Sequence, residues 1–250
     1  MMTDGPRVEA IDRALRLLTA LADAGPAGSS LTDLASATGV NKSTAYRALS
    51  TMKTHGFVTQ SEASGGYCLG VAAMSLGESF LTPQGLARAL HPALVTLSRE
   101  ANELVHLGVL VGDQVLYIDK VEPERAIRVW SEVGRRTGAA TSAMGRALLA
   151  ARGVPDDQLS AYLHRSPIPV SELTSSVHTA RERGYATEVE ENETGVACLG
   201  LALANGQGPV AAVSITMQSE RLTPARQRDL AQLVRRVLPP LLPEGLSLAG

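Results

Sequence analysis

Apolar residues recur at steps of three and four along the first part of the chain. The apolar positions of this segment are Val8, Ile11, Ala14, Leu15, Leu18 and Leu21. Charged residues such as Arg13 and Arg16 occupy positions between them. This spacing is typical of an amphipathic helix, which we expect over residues 8–22, before Gly25 and Pro26 end it.

Two shorter helices follow, separated by a tight turn. Ser30, with Asp33 three residues later, resembles a capping box and opens a helix that Gly39 ends. Asn41 is a good N-cap for the next helix, which we expect to run to about His55. Two helices joined by so short a turn predict a helix-turn-helix.

The helix that begins after Asn41 has one apolar and one polar face. Ala45, Ala48, Leu49 and Met52 are spaced to face a small core. The remaining side chains therefore point outward, and most of them can form hydrogen bonds. We predict that this helix contacts DNA through Lys42, Ser43, Thr44, Tyr46, Arg47, Ser50, Thr51 and Thr54.

Side-chain chemistry and local charge both favour duplex DNA as the partner of this polar face. Arginine can bind guanine through two hydrogen bonds and hydroxyl groups can reach phosphates, so Arg47 is the expected base contact. No acidic residue occurs between Asp33 and Glu62. Lys42, Arg47 and Lys53 place positive charge on or beside the helix. The alternative interpretation is an ordinary solvated helix face.

Two strand-like runs follow this helix, at residues 57–59 and 67–69. The segment between them, residues 61–66, is rich in turn-forming residues, so we predict a β-hairpin wing. The tip of this wing carries Glu62 and no Lys or Arg. A strong minor-groove contact from the wing is therefore not expected.

Residues 71–90 are helix-prone but are interrupted by Pro83-Gln84-Gly85. We therefore predict a connecting helix, a break, and a new helix from about Gly85 to Ala101. A domain boundary falls in this region. We expect a winged helix-turn-helix domain over residues 1–70, a linker helix over 71–90 and a second domain over 91–250.

The period of the pattern changes in the second domain. Two β-rich runs, at 104–111 and 114–121, are joined by Gly112-Asp113, which predicts a hairpin. Further strands are expected at 126–133, 196–204 and 210–217, and helices at 142–152, 155–163, 171–183 and 223–238. Strands, a helical insert and further strands indicate an α+β domain with an antiparallel sheet flanked by helices.

Composition narrows the function without defining it. The chain has 250 residues, is 44% hydrophobic and has a formal net charge of -2, so any DNA-binding charge must be local. Aromatic residues make up 3% of the chain, too few for a surface that stacks single-stranded bases. Cys68 and Cys198 show no metal-ligand spacing, and no cofactor or metal is expected. With no signal pattern and no long apolar run, we expect a cytoplasmic protein.

Several motifs in this order resemble the IclR family of bacterial transcriptional regulators. In the first domain they are KSTAYR at 42–47 and YCLG at 67–70. In the second domain they are GRR at 134–136, TSAMGRALLA at 141–150, GYA at 184–186, EE at 190–191, GVAC at 195–198 and AAVSI at 211–215. The resemblance covers nearly the whole chain and implies a GAF-like effector-binding domain in its second half.

The resemblance also implies where a small organic metabolite would bind. Matched position by position, the effector pocket is expected at Ala143, Met144, Glu188 and Cys198. The start of the helix after Ser142 offers unpaired N–H groups, which suit a carboxylate. The alternatives are a solvent-exposed Glu188 at a strand start and a Cys198 that merely fills core space. Further apolar lining, or core packing, is expected of Val109, Val129 and Trp130.

Other functions compete with that of a regulator. An enzyme is not favoured, because the chain lacks a nucleophile elbow, a phosphate-binding loop, a zinc-protease motif and a dinucleotide fingerprint. A metabolite-binding protein that uses its helical N-terminus only for dimerisation is a second alternative. For the regulator, we expect a homodimer that binds a palindromic operator. The resemblance adds a homotetramer, and we expect a repressor rather than an activator.

Overall fold

The structure is a computed structural model that describes residues 8–61, 64–80, 82–125, 129–163, 166 and 168–249, without the side chains of 77–80. The chain divides into two units, Met1–Thr82 and Pro83–Gly250. No helix in the described ranges is long and apolar enough to cross a membrane.

The first unit contains three helices, a hairpin and a fourth helix. In chain order these are α1 (Glu9–Ala24), α2 (Leu31–Thr38), α3 (Lys42–Thr54), β1 (Val58–Gln60), β2 (Tyr67–Leu69) and α4 (Val71–Phe80). β1 and β2 pair antiparallel, and Ser29 adds a bridge to Tyr67. A small core between the helices and the hairpin includes Leu17, Leu34 and Leu49, all of which are fully buried.

The two caps predicted for the helix-turn-helix are both confirmed. The Ser30 hydroxyl accepts a hydrogen bond from Asp33 N at 3.1 Å, and Asn41 Oδ1 accepts one from Thr44 N at 2.8 Å. Gly39 follows α2 with φ 66°, a left-handed conformation that glycine adopts without strain. The direction of α3 relative to α2 is therefore set by short-range interactions that the sequence specifies locally.

The second unit is a sheet with helices on both faces, which confirms the α+β class. Its elements are α5 (Pro83–Ala101), β3 (Leu104–Val111), β4 (Gln114–Val121), β5 (Arg136–Gly138), α6 (Ala143–Ala151), α7 (Val170–Arg183), β6 (Ala186–Val189), β7 (Val196–Asn205), β8 (Gly208–Gln218), α8 (Pro224–Val237) and β9 (Ser247–Leu248). The strand order is β5-β4-β3-β8-β7-β6, with β9 beside β7. All of these pairs are antiparallel.

Alternate residues of the central strands face the two helical layers. On one face Val105, Val213 and Ile215 pack with leucines of α5 and α8. On the other face Ala202 and Ala212 pack with α6 and α7. The side facing α6 is lined by small residues, so the helix can approach the strands closely.

Two of the elements expected in the second unit differ in the structure, and β5, β6 and β9 were not expected. The strand expected at 126–133 is wrong for its described residues, 129–133, which form no strand; residues 126–128 lie outside the described ranges. A β-rich composition does not distinguish a strand from an extended loop, and the next strand is β5 instead. The expected helix at 155–163 is a 3-10 helix over Asp156–Tyr162.

Candidate DNA interface and effector site

The polar face predicted for α3 lies on the surface of the first unit. Ala45, Leu49 and Met52 are buried, and Thr44 is half-buried. The other predicted contact residues are exposed: Lys42, Ser43, Tyr46, Arg47, Ser50, Thr51 and Thr54. The structure therefore brings all the predicted DNA contacts onto one continuous helix surface.

Three hydroxyl groups on this surface, those of Ser43, Thr51 and Thr54, are hydrogen-bonded within their own helix or its cap. Thr51 Oγ1 donates to Arg47 O at 3.0 Å, and Thr54 Oγ1 donates to Ser50 O at 3.1 Å. Such bonds hold the side chains in one rotamer and cost little to exchange for a phosphate oxygen. Within the described ranges, the guanidinium of Arg47 has neither an ion pair nor a hydrogen bond, so it is available to a ligand.

A groove of about 420 Å³ runs between α1 and α3. Arg13 and Ala14 of α1 line it opposite Thr44, Arg47 and Ala48 of α3. Arg13 forms an ion pair with Glu9 one turn earlier. Arg13 was not among the predicted contacts, because the spacing of α1 alone does not show which neighbour its polar side meets.

The hairpin wing is present as β1 and β2, but its tip is only partly described. Ser61 N donates to Gly66 O at 2.8 Å and closes the turn. Glu62, on which the expectation of a weak wing contact depended, lies outside the described residues. Lys53 Nζ donates to Gln60 Oε1 at 3.4 Å, which links α3 to the last residue of β1.

A cavity of about 30 Å³ lies in the second unit, on the side of the sheet that faces α6. Among the residues predicted for the effector pocket, Glu188, Cys198, Val129 and Trp130 line it. The lining that the sequence analysis missed is largely polar: His106, Tyr117, Ser131, Arg135, Thr137, Asn192, Glu193 and Thr216, together with Val196. These side chains come from segments far apart in the sequence, and no local motif marks them as neighbours.

A polar row crosses three adjacent strands at the floor of this cavity. Glu188 of β6 is the cross-strand partner of Cys198 of β7, which is in turn the partner of Thr216 of β8. Cys198 Sγ lies 3.3 Å from Thr216 Oγ1, and His106 Nδ1 lies 3.2 Å from the same oxygen. His106 Nε2 continues the chain to Ser131 Oγ at 2.5 Å.

Burial controls the charge state of this row. It lowers the pKa of His106 to about 3, and the cations of Lys120 and Arg135 act in the same direction. It also raises the pKa of Tyr117 to about 12 and raises that of the Cys198 thiol. The imidazole, the phenol and the thiol are therefore neutral at pH 7.

Glu188 is buried, with 2% of its surface exposed, rather than lying open at a strand start. Its Oε1 accepts hydrogen bonds from Glu191 N at 2.8 Å and Asn192 N at 3.2 Å. Burial raises the pKa of the Glu188 carboxyl, while these two N–H groups and the nearby Cys198 thiol oppose the shift. Its Oε2 has no hydrogen-bond partner of ordinary geometry among the described residues.

The other three predicted pocket residues are buried but do not line the cavity. Ala143 begins α6, where its backbone abuts Gly200: a Cβ added at that glycine would lie 2.6 Å from the Ala143 carbonyl carbon. Met144 packs over Gly108 of β3. Val109 faces the opposite core, beside α5 and α8. The start of α6 is thus closed against β7 in this structure.

An irregular segment, residues 129–135, covers the mouth of the cavity. Trp130 is 67% exposed there, whereas the neighbouring Ser131 is buried. Lys120 Nζ donates to Ser131 O at 2.5 Å, and Arg135 forms an ion pair with Glu193 at 3.3 Å. A few polar contacts, rather than an apolar core, hold this cover in place.

Two family models match the chain, and together they span most of its length. "IclR helix-turn-helix domain" matches residues 10–62, which contain α1, α2 and α3. "Bacterial transcriptional regulator IclR C-terminal" matches residues 78–238, which contain the cavity and every strand of the sheet except β9. The two matches cover the exposed polar surface of α3 and the polar cavity described above.

Characterised relatives match over nearly the full chain. The transcriptional repressor IclR of Escherichia coli is 32% identical over 241 residues, covering 91% of this chain and 86% of that protein. The HTH-type transcriptional regulator XynR of Escherichia coli is 30% identical over 239 residues, covering 92% of this chain and 94% of that protein.

Solved structures agree with the fold. The IclR protein of Thermotoga maritima has a TM-score of 0.57 and 26% identity, covering 94% of this chain and 98% of that one. A regulator from Silicibacter has a TM-score of 0.70 at 23% identity, covering 94% of this chain and all of that one, which supports the fold alone. The relatives are transcriptional regulators, and the enzyme alternative is therefore set aside.

Proposed function

The chain belongs to the IclR family of bacterial transcriptional regulators, and on that premise we propose that it is a homodimeric repressor controlled by a small organic acid. Its helix-turn-helix binds operator DNA. The observation that carries the assignment of this interface is the exposed polar surface of α3, which has no acidic residue on it.

We assign separate roles to the residues of α3. The free guanidinium of Arg47 fits the paired acceptors of guanine in the major groove. Lys42, near the N-terminus of the helix, supplies charge for phosphate contacts, and the hydroxyls of Ser43 and Thr44 supply hydrogen bonds. Tyr46, Ser50, Thr51 and Thr54 complete the surface. These contacts define one half-site.

A dimer is supported by an apolar stripe on α1. Val8, which caps the helix, and Ile11 and Leu15 within it are 62%, 58% and 58% exposed. Exposed apolar side chains in such a row favour burial against another chain. A second copy related by two-fold symmetry would place two α3 helices in successive major grooves of a palindrome. We propose the homotetramer as a pair of such dimers.

We propose that the effector binds in the cavity lined by Glu188, Cys198, Val129 and Trp130. Ala143, Met144 and Val109 would then support the cavity from outside it. Arg135, at its edge, is the cation best placed for the carboxylate of an organic acid. In this scheme residues 1–70 bind DNA, residues 71–90 connect the domains, and residues 91–250 form a GAF-like effector domain.

Control of DNA binding requires that the effector favour one state of the dimer. A ligand shifts an equilibrium only by the difference in its affinity for the two states. We propose that the two states differ in the placement of the DNA-binding domains, transmitted through residues 71–90. Release of operator DNA on effector binding would make the protein a repressor that senses its metabolite.

The proposal is tested with the full chain and DNA from upstream of its own gene. Fluorescence anisotropy should show saturable binding that unrelated DNA of equal length does not reproduce at physiological salt. Analytical ultracentrifugation should give a dimer or tetramer, and Leu15→Ser should weaken both association and operator binding. A monomer that binds all DNA equally would contradict the proposal and favour a metabolite-binding protein.

A further inference from the structure

The groove between α1 and α3 adjoins the polar surface of α3. Thr44, Arg47 and Thr51 line the groove and also belong to that surface. A helix that lies in the major groove of DNA has a sugar-phosphate strand along each of its sides. On the side of α3 that faces α1, such a strand would pass along this groove.

The size and charge of the groove suit a phosphate strand. Its volume is about 420 Å³, and three alanines line it, Ala10, Ala14 and Ala48, whose small side chains allow a bulky chain to approach both helices. Arg13 of α1 and Arg47 of α3 supply positive charge, and no acidic residue is among the described residues that line the groove. Cations arranged in this way attract phosphate groups.

The α3 side of the groove also offers a hydrogen-bond donor. The backbone N–H of Thr44 donates to Asn41 Oδ1 at 2.8 Å, whereas the Thr44 hydroxyl has no hydrogen bond within the described ranges. A phosphate in the groove can therefore accept a hydrogen bond from this hydroxyl without breaking a contact inside the protein. The guanidinium of Arg47 remains free for a base.

Arg13, on the α1 side, has a partner that it can leave at little cost. It pairs with Glu9, one turn earlier, and this is its one ion pair among the described residues. The side chain of Glu9 is 79% exposed and that of Arg13 is 33% exposed. Exposed pairs of this kind contribute little to stability, because water and salt screen them. A contact between arginine and phosphate is stronger and can use two parallel hydrogen bonds.

We propose that one sugar-phosphate strand of the DNA lies in the groove between α1 and α3, where Arg13 exchanges its ion pair with Glu9 for a DNA phosphate. This inference rests on the proposed function of the helix-turn-helix and makes α1 part of the same interface. The contact holds the strand and does not read its sequence. Val8, Ile11 and Leu15 do not line the groove, so a second copy bound to that stripe leaves the groove open.

The inference is tested with the full chain by fluorescence anisotropy, using operator DNA and unrelated DNA of equal length at several salt concentrations. Arg13→Ala should weaken the binding of both DNAs by the same factor, about tenfold for a dimer. The slope of log affinity against log salt concentration should become shallower by about 2, because each of two subunits loses one phosphate contact worth about 0.9. Arg13→Lys should restore most of the slope, since lysine binds phosphate as a point charge.

Arg228→Ala is the control for lost positive charge. Arg228 is exposed on α8, in the second unit, and its replacement should change neither the affinity nor the salt slope. An equal loss in Arg228→Ala and Arg13→Ala would mean that net charge, and not a contact in the groove, determines affinity, which would overturn the inference. Thermal unfolding of Arg13→Ala should match that of the unmodified protein, because the ion pair with Glu9 is exposed.

A variant that fills the groove tests the place of the strand without changing any charge. Ala10 lines the groove and is exposed, so a larger side chain there does not disturb the core. Ala10→Leu should weaken the binding of both DNAs, because leucine occupies the path of the strand. Ala10→Ser, which keeps a small side chain at the same position, should bind as the unmodified protein does. Equal affinities in the two variants would overturn the inference.

The exchange of partners is tested by removing the carboxylate that Arg13 leaves. Glu9→Gln should strengthen the binding of both DNAs about threefold, because Arg13 then meets the phosphate without losing an ion pair. Asp12→Asn makes the same change in charge on the same helix, but Asp12 pairs with Arg16 at 3.8 Å and does not line the groove. It should leave the affinity unchanged, and an equal gain in both variants would overturn the exchange.

The remaining outcomes distinguish this inference from the proposed function. Unchanged affinity and salt slope in Arg13→Ala would overturn the inference, and so would a loss confined to operator DNA, which would place Arg13 at the bases. The proposed function survives either result if Arg47→Ala still loses operator affinity. Failure of the unmodified protein to bind either DNA would overturn both.

Discussion

The guanidinium of Arg16, on α1, donates a hydrogen bond to the carbonyl oxygen of Thr38, the last residue of α2. This contact places a cation at the carbonyl end of a helix, where the helix dipole favours it. Arg16 thereby links the first helix to the turn before α3. It acts on the position of α3 without lying on the exposed face of that helix.

Arg16→Ala should therefore weaken operator binding indirectly. We expect a loss of about 1 kcal/mol in the stability of the first unit, since the side chain is half-exposed and partly screened. The loss of DNA affinity should be similar for specific and nonspecific sequences. Thermal unfolding and anisotropy with two DNA sequences measure both effects, and Arg16→Lys should restore part of each. A change in sequence preference would instead place Arg16 at the bases.

Arg47→Ala should remove a base contact. The expected loss is about 1–3 kcal/mol of operator affinity, the cost of one paired contact to guanine, with little effect on unfolding. Binding titrations at several salt concentrations give the slope of log affinity against log salt concentration. Loss of a phosphate contact reduces this slope, whereas loss of a base contact does not. Arg99→Ala, an exposed arginine of α5, serves as the control for lost charge. Unchanged operator affinity in Arg47→Ala would remove α3 from the interface.

Gly200→Ala should destabilise the second unit. The added Cβ would lie 2.6 Å from the Ala143 carbonyl carbon and 2.9 Å from Met144 N, backbone atoms that cannot move aside without shifting α6. We expect a loss of about 1–3 kcal/mol in the free energy of unfolding, typical of overpacking. Gly206→Ala is the matched control, because an added Cβ there meets nothing within 4 Å. Chemical denaturation of both variants measures the difference.

Acidification should destabilise the second unit through His106. Its pKa is about 3 in the folded protein and about 6.5 in the unfolded chain, so the unfolded state binds the proton first. The stability it contributes is complete above about pH 6.5 and is lost as the pH falls toward about 3, by up to about 1.4 kcal/mol per pH unit. The raised pKa values of Glu103 and Glu188 act in the opposite sense, because their contribution is lost as pH rises above about 4.5.

Unfolding curves between pH 7 and pH 5 test this prediction. His106→Gln should flatten the pH dependence, since the amide has no proton to gain. If His106→Gln keeps the pH dependence of the unmodified protein's free energy of unfolding, another group determines that dependence.

The sequence predicts the first unit better than the cavity. The caps at Ser30 and Asn41 and the left-handed Gly39 act over a few residues, so their pattern alone predicts where α2 and α3 begin and end. The polar face of α3 follows from helical spacing once its buried side is known. Tertiary contacts are not needed for either step.

The cavity depends on interactions that no local pattern contains. His106 meets Ser131 and Thr216 only because β3 lies beside β8 and the cover folds over both. β6 was not predicted, since four residues with one buried acid do not show a strand period. Residues 129–133 form no strand although one was expected there, because apolar residues such as Val129 also occur in extended loops.

The polar row of Glu188, Cys198 and Thr216 crosses from the outermost strand of the sheet to the third strand in. β6 is an edge strand with a neighbour on one side only, so it is freer to fray than the interior strands. A molecule bound along that row would contact β6, β7 and β8 together and would hold the edge strand against the interior strands. Binding in the cavity would then slow the exchange of the backbone amide hydrogens of residues 186–189.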